Sequence, residues 1–304
     1  MILCDAHCDT LYNLYTKPGQ PTDITMERLE KGGVNLQTMA MYIGSDPSPE
    51  AVDKLMKGMF EEFEKLKQQG WVQAMDPSET EDGKVKVMLS LEGCEPFEKG
   101  LTVIEEYRRK GIRMAAITWN FSNKLATSHN TDATTGLTEY GMQAIKEMQR
   151  LGIAADVSHI NEAGFWDIIN KTDAPPVASH SCARALSEHT RNLTDEQLKA
   201  MFQNGGWVGI NFFPKFLNID GPSTLDTVVD HIDHMYQLGG AGYVGLGRIG
   251  FGSDFDGIGT KPEGLDNPLD FPALLNKLRE RGYKKPDLED IAGQAFIRYY
   301  KRIS

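Results

Sequence analysis

The feature that most constrains this chain is a unit it repeats. A short run, apolar on both faces, ends in a cluster of polar residues and gives way to a longer amphipathic stretch. Eight such runs occupy 2–4, 34–42, 85–91, 114–118, 153–157, 176–178, 207–211 and 249–252. Most are rich in β-branched or aromatic residues, and a strand that is apolar at every position must be buried on both faces. The stretches 50–69, 101–110, 140–151, 162–170, 194–203 and 224–238 carry helical spacing instead. Glycines at 32–33, 111, 152 and 205–206 stand where a helix would need a left-handed cap before the next run. Strand and helix in alternation imply right-handed crossovers and a parallel sheet. Eight strands in 304 residues suit one domain, 1–304, folded as an α/β, TIM-like (β/α)8 barrel. The competing arrangement is a doubly wound open sheet. Its glycine-rich nucleotide fingerprint would follow the first strand, where Asp5-Ala6-His7-Cys8-Asp9-Thr10 stands instead.

Charge narrows the function classes. A net charge of −11 and a pI near 5.2 argue against nucleic-acid or anionic-membrane partners, which require clustered Lys and Arg. No run approaches the roughly 18–20 apolar residues that span a bilayer. The N-terminal residues do not read as a signal peptide, nor do residues 299–304 read as a lipid-anchor tail. Cys4, Cys8, Cys94 and Cys182 are few and scattered. We therefore expect reduced thiols and a cytoplasmic protein.

The polar clusters follow the C-terminal ends of the runs, and in a barrel those ends converge on one rim, where the active site is built. His7 and Asp9, one residue apart on extended chain, point to the same side and can chelate one ion; imidazole and carboxylate both suit zinc. His159 and His180, on successive strand ends, can hold a second. Glu92, in Ser90-Leu91-Glu92-Gly93, has two oxygens and can bridge them. Two metals about 3.5–4 Å apart can share and activate a water. Alone, each residue reads equally well as a cap, a turn former or a hydrogen-bonded structural group, and Asp5 as an orienting residue. It is the coincidence of three histidines, an Asp and a Glu at strand ends that points to metal. His129 and His189 fall in polar loops, and His231 and His234 have ordinary helical spacing. Cys8 should face the barrel wall, and the methionines read as core filler.

With these residues in hand, the chain resembles the membrane (renal) dipeptidase family, zinc peptidases among the amidohydrolase-like barrels. The resemblance runs over nearly the whole chain. It is carried by Asp5 to Thr10, Ser90 to Gly93, Asp156-Val157-Ser158-His159, Ser179-His180-Ser181, Arg191-Asn192-Leu193 and Gly252 to Gly257 in that order. It implies one zinc on His7 and Asp9 and a second on His159 and His180, with Glu92 bridging. It further implies that Arg191 grips the substrate carboxylate and that Asp254 serves as general base or proton shuttle. The reaction so implied is attack by a metal-bound hydroxide on a dipeptide, L,D or non-standard forms included, in a homodimer. Two positions depart from the family pattern. Trp119 replaces a substrate-contacting histidine, leaving Asn120 as its polar neighbour, and Phe216 replaces a tyrosine. These departures keep open a binuclear amidase, N-acyl-amino-acid deacylase or lactonase. An inactive metal-binding scaffold is the alternative of another class, although no proposed ligand is lost. The glycine-rich stretch 239–247 is given no role.

Overall fold

All eight apolar runs contribute to strands. In a computed structural model, which describes residues 1–45, 47–131, 134–173, 175–239 and 246–303, these are β1 (Cys4–Asp5), β2 (Leu36–Tyr42), β3 (Lys86–Glu92) and β4 (Ile112–Ala116). They are followed by β5 (Ala154–Asp156), β6 (Val177–Ala178), β7 (Trp207–Ile210) and β8 (Ile249–Phe251). Every neighbouring pair is parallel, and β1 pairs with β8 through Asp5 and Phe251, so the sheet closes into a barrel. That closure excludes the doubly wound alternative. Residues 240–245 of the glycine-rich stretch lie outside the described residues.

The six amphipathic stretches form the helices Pro49–Gln68, Leu101–Arg109, Glu139–Arg150, Glu162–Lys171, Asp195–Gln203 and Leu225–Leu238. Ser48, Thr138, Asn161 and Thr194 cap four of them, each accepting from a backbone N–H three residues on. Among the described residues no helix is long and apolar enough to cross a membrane.

Strand alternation decides what faces inward. On β3, Val87, Leu89 and Leu91 join the large core beneath the helices, whereas Met88 joins a separate cluster inside the barrel with Leu36, Met114, Ala154, Val177 and Trp207. Phe296, Tyr299 and Tyr300 of the terminal helix Ala295–Ile303 complete that inner cluster. The Tyr299 hydroxyl donates to the Pro175 carbonyl at 2.8 Å, just before β6. This end of the barrel is therefore plugged by aromatic rings. The parity that turns Met88 inward also turns in Ser90 and Glu92 at the opposite end. By the same count Asp156 follows Ala154 and Ser179 follows Val177.

Two devices hold the functional end together. The Asp5 carboxylate accepts from the Ser253 N–H at 2.8 Å, the Ser253 hydroxyl at 2.6 Å and the Gln37 amide at 3.0 Å, tying β1 to β2 and to the loop after β8. It orients backbone rather than facing a ligand. The second device is close backbone approach. A Cβ on Gly252 would lie 1.8 Å from the Ser179 carbonyl oxygen, and one on Gly209 would lie 2.2 Å from the same atom. Only glycine lets these segments meet beside His180. We expect Gly252→Ala to lower stability by about 1–3 kcal/mol, as overpacking against a rigid neighbour does. Urea unfolding checks this, and an unchanged midpoint would contradict the close approach.

Candidate metal centre

The polar ends of five strands meet in one buried cluster. His7 Nε2 lies 3.6 Å from Glu92 Oε2, 3.7 Å from Asp9 Oδ2 and 3.8 Å from Asp254 Oδ1. The other Glu92 oxygen, Oε1, lies 2.9 Å from His159 Nε2 and 3.5 Å from His180 Nε2. Those two ring nitrogens are 3.0 Å apart, and the His7 and His180 rings stack at 3.8 Å. Glu92 thus presents one oxygen to each half of the cluster. Within the described residues, two trios of donor atoms each fall inside 4.8 Å: His7, Glu92 and His180, and His7, Asp9 and Asp254. Ligand atoms about 2.0–2.1 Å from a tetrahedral zinc stand roughly 3.3 Å apart, and the contacts of 2.9–3.8 Å in the cluster bracket that spacing.

The hydrogen bonds behind the rings set their tautomers. With the Asn120 amide as assigned, His159 Nδ1 donates to Asn120 Oδ1 at 2.8 Å. His180 Nδ1 donates to the Ser179 hydroxyl at 2.7 Å, which in turn donates to the Asp156 carboxylate. Asp156 also accepts from the backbone N–H groups of Ser158 and Ser179. Both rings therefore carry hydrogen on Nδ1 and turn bare Nε2 lone pairs toward each other and toward Glu92 Oε1. Three acceptors in contact repel unless a cation lies among them.

Charge says the same. Burial holds His159 and His180 well below the usual imidazole range, with Arg191 and His7 adding to it. Burial pushes Glu92 well above the carboxylate range, reinforced by Asp9 and opposed by His7. Asp254 is pushed up to about 7 by burial, against the pull of His7. Burial opposes the charging of His7, yet Glu92, Asp9 and Asp254 together push it up to about 10. These are carboxylates crowded without enough positive charge, and bound cations would supply it. Buried Asp9 Oδ1 has no hydrogen-bond partner, so its lone pairs are available. The residues fit a pair of divalent metals.

Backbone strain collects here too. Among the described residues other than glycine, positive φ occurs at His159 (70°), Asp254 (65°) and Asp256 (66°). Neighbours hold each one. The His159 carbonyl accepts from the His129 N–H at 2.9 Å, and the Asp254 N–H donates to the His7 carbonyl at 3.1 Å. Asp256 accepts from the Thr10 hydroxyl and the Asp23 N–H, both at 2.6 Å, so it ties loops together.

A cavity of about 470 Å³ opens onto the cluster. Arg191 is buried in its wall. Its Nη2 donates to the His180 carbonyl at 3.2 Å and its Nη1 to Ser181 Oγ at 3.4 Å, while Nε has no partner. The guanidinium lies 5.3 Å over the Phe216 ring. On another side Trp119 meets Tyr42 edge-on at 4.9 Å, and Tyr42 meets Tyr12 at 4.8 Å, forming an aromatic ledge. Asn211 donates to Asp254 Oδ2 at 2.9 Å. The fold thus gathers His7, Asp9, Glu92, His159, His180, Arg191, Asp254, Trp119, Asn120 and Phe216 around one space. A larger groove of about 850 Å³ lies outside the barrel between the helices Pro49–Gln68 and Leu101–Arg109, where Lys, Glu and Gln dominate the wall.

Several residues stand elsewhere than the sequence suggested. His129 and His189, set aside as polar-loop residues, both line the cavity. His129 bonds Asn120 Oδ1 and Thr190 Oγ1, each at 2.9 Å, and burial with Arg191 lowers it to about 3. No sequence signal marks it, because its loop returns to the rim through an isolated bridge between Ser128 and Ile160. His231 and His234 are structural, bonded to the Leu217 carbonyl and to Asp195. Cys8 is buried against Thr10, and burial keeps its thiol well above the ordinary range. All four cysteines are unpaired and buried.

The sequence model of peptidase family M19, the membrane dipeptidases, matches residues 1–304. A dipeptidase of Schizosaccharomyces pombe, itself uncharacterized, is 35% identical over 228 residues, 73% of this chain and 54% of its own length. An uncharacterized protein of Klebsiella pneumoniae is 36% identical over 241 residues, 76% of this chain and 87% of its own. The matched segment is thus about half of the yeast relative. Among solved structures, a metallopeptidase of Rhodobacter sphaeroides bound to a phosphinate mimic of the dipeptide L-Ala-D-Ala is similar at a TM-score of 0.88 and 26% identity. That match covers 100% of this chain and 99% of the other.

Glu92→Gln removes the charge and keeps the shape, so bound metal per chain, read by elemental analysis after dialysis, is expected to fall below that of the wild type. Retention of the wild-type metal content would contradict a ligand role for Glu92.

Proposed function

The chain belongs to the membrane dipeptidase family, and on that premise we propose that it is a two-zinc dipeptidase cleaving the peptide bond of dipeptides, L,D forms included. The observation that carries the proposal is the Glu92 carboxylate. One of its oxygens lies 3.6 Å from His7 Nε2, and the other lies 2.9 and 3.5 Å from His159 and His180. His7 and Asp9 would hold one zinc, His159 and His180 the other, with Glu92 between them. A metal pair bound there would supply Lewis acidity to a scissile carbonyl and to an attacking water.

The chain's own residues do the rest. Arg191 lines the cavity, and its Nη1 and Nη2 each keep a second N–H beyond the bond to Ser181 or to the His180 carbonyl, which suits a dipeptide's terminal carboxylate. That contact fixes the register of the substrate across the cavity. Asp254 faces His7 with one oxygen and is held by Asn211 through the other. It takes a proton from the water and returns it to the leaving amine. Trp119 and Tyr42 exclude solvent from their side of the cleft. The bound L-Ala-D-Ala mimic in the Rhodobacter relative supports including L,D dipeptides.

One observation favours a second reading. Trp119 and Phe216 make the walls flanking the cluster aromatic. An N-acyl amino acid would keep the carboxylate for Arg191 and lay its acyl chain on Trp119.

Release of amino acids from a panel of L,L and L,D dipeptides, with and without chelator, tests the proposal. Chelator-sensitive cleavage is expected, and cleavage of acyl amino acids alone would favour the second reading. Arg191→Ala should raise KM for substrates with a free carboxylate by about 10- to 100-fold, the worth of a charge-assisted hydrogen bond. An equal loss on C-terminal amides would contradict the assignment. Asp254→Asn should keep both zincs and lower kcat by about 10²- to 10⁴-fold; loss of zinc would make Asp254 a ligand instead.

A further inference from the structure

One ring outside the proposed ligand set touches both halves of the chemistry. We propose that His129 is a positioning residue that holds His159 through Asn120 and the Arg191 segment through Thr190. The inference rests on the reading of His159 as a metal ligand and Arg191 as the carboxylate anchor.

The geometry turns on one oxygen. Asn120 Oδ1 lies 2.8 Å from His159 Nδ1 and 2.9 Å from His129 Nε2. An amide oxygen only accepts and has two lone pairs, so both rings donate to it and its capacity is filled. The direction of Asn120 is therefore set from two sides. Without His129 the amide has one fewer restraint, and His159 loses the rigidity of the acceptor that keeps hydrogen on its Nδ1. His129 also meets His159 through the main chain, since its N–H donates at 2.9 Å to the His159 carbonyl. The Thr118 hydroxyl reaches that carbonyl at 3.1 Å. His159 adopts φ of 70°, a conformation that requires such restraint.

The second nitrogen faces the substrate side. His129 Nδ1 lies 2.9 Å from Thr190 Oγ1, the residue before Arg191. Arg191 is held from the other direction by the His180 carbonyl and Ser181 Oγ. His129 is thus a brace between a segment that ends in a ligand and one that ends in the carboxylate anchor. Partners behind a metal-bound imidazole fix its ring and tautomer, and their loss costs about 10- to 100-fold in metal affinity.

Three variants separate the two arms. His129→Phe keeps a ring and removes both side-chain hydrogen bonds. His129→Gln restores one donor and one acceptor, and Thr190→Val cuts only the link to Arg191. Zinc release is followed by competition with a chromophoric chelator, and KM is measured for a dipeptide and for its C-terminal amide. His129→Phe should release one of the two zincs at about 10- to 100-fold lower chelator concentration, and His129→Gln should recover most of that loss. Thr190→Val should keep both zincs and raise KM for the dipeptide while sparing the amide. If His129→Phe does not fold, Asn120→Ser breaks the same link from the other end and should loosen the same zinc. Wild-type zinc release from His129→Phe or Asn120→Ser overturns the inference alone. A wild-type protein that binds no zinc overturns the metal reading and this inference with it.

Discussion

The structure depends on holding together groups that repel. Glu92 Oε1, His159 Nε2 and His180 Nε2 meet within 2.9–3.5 Å as three acceptors, while Glu92 Oε2, Asp9 and Asp254 crowd His7 Nε2 at 3.6–3.8 Å. His7 offsets part of that repulsion, facing Glu92, Asp9 and Asp254 at 3.6–3.8 Å, and bound cations would offset the rest. The surrounding fold keeps the cluster in place. The Asp5 carboxylate ties β1 to β2 and to the loop after β8, and Gly209 and Gly252 let β7 and β8 close against the Ser179 backbone. The Asp156–Ser179–His180 and Asn120–His159 hydrogen bonds then fix which nitrogen each ring turns inward. The opposite end of the barrel is filled by Trp207, Phe296, Tyr299 and Tyr300, so the cavity opens at the end that holds the cluster.

Much of this was legible in the sequence, for a physical reason. Strands buried on both faces are apolar at nearly every position, so 85–91 and 207–211 declare themselves without any partner. The cluster residues follow those runs, and barrel geometry converts their order into a ring. His7, Asp9, Glu92, His159 and His180 could be gathered on that argument alone. The terminal aromatic plug could not, because Tyr299 and Tyr300 acquire meaning only from strands distant in the chain. His129 and His189 were hidden for the same reason. Each lies in a polar loop with no periodicity, and only the path of that loop brings its ring to the cavity. Asn211, which orients Asp254, likewise gave no signal beyond its place after β7.

Trp119 and Phe216 shape the cavity rather than the cluster beneath it. Trp119 packs on Tyr42 and Phe216 lies under Arg191, so both act by shape and apolar contact. Neither touches the hydrogen bonds that set the histidine tautomers. Trp119 and Phe216 thus place aromatic surface beside a cluster whose histidines and carboxylates they leave undisturbed.

The central claim is that Glu92 separates two metal positions. Anomalous diffraction at the zinc edge from crystals grown with zinc tests it most directly. Two peaks are expected, one beside His7 and Asp9 and one beside His159 and His180, with a Glu92 oxygen on each. A single peak, or two peaks that share no Glu92 contact, would contradict it.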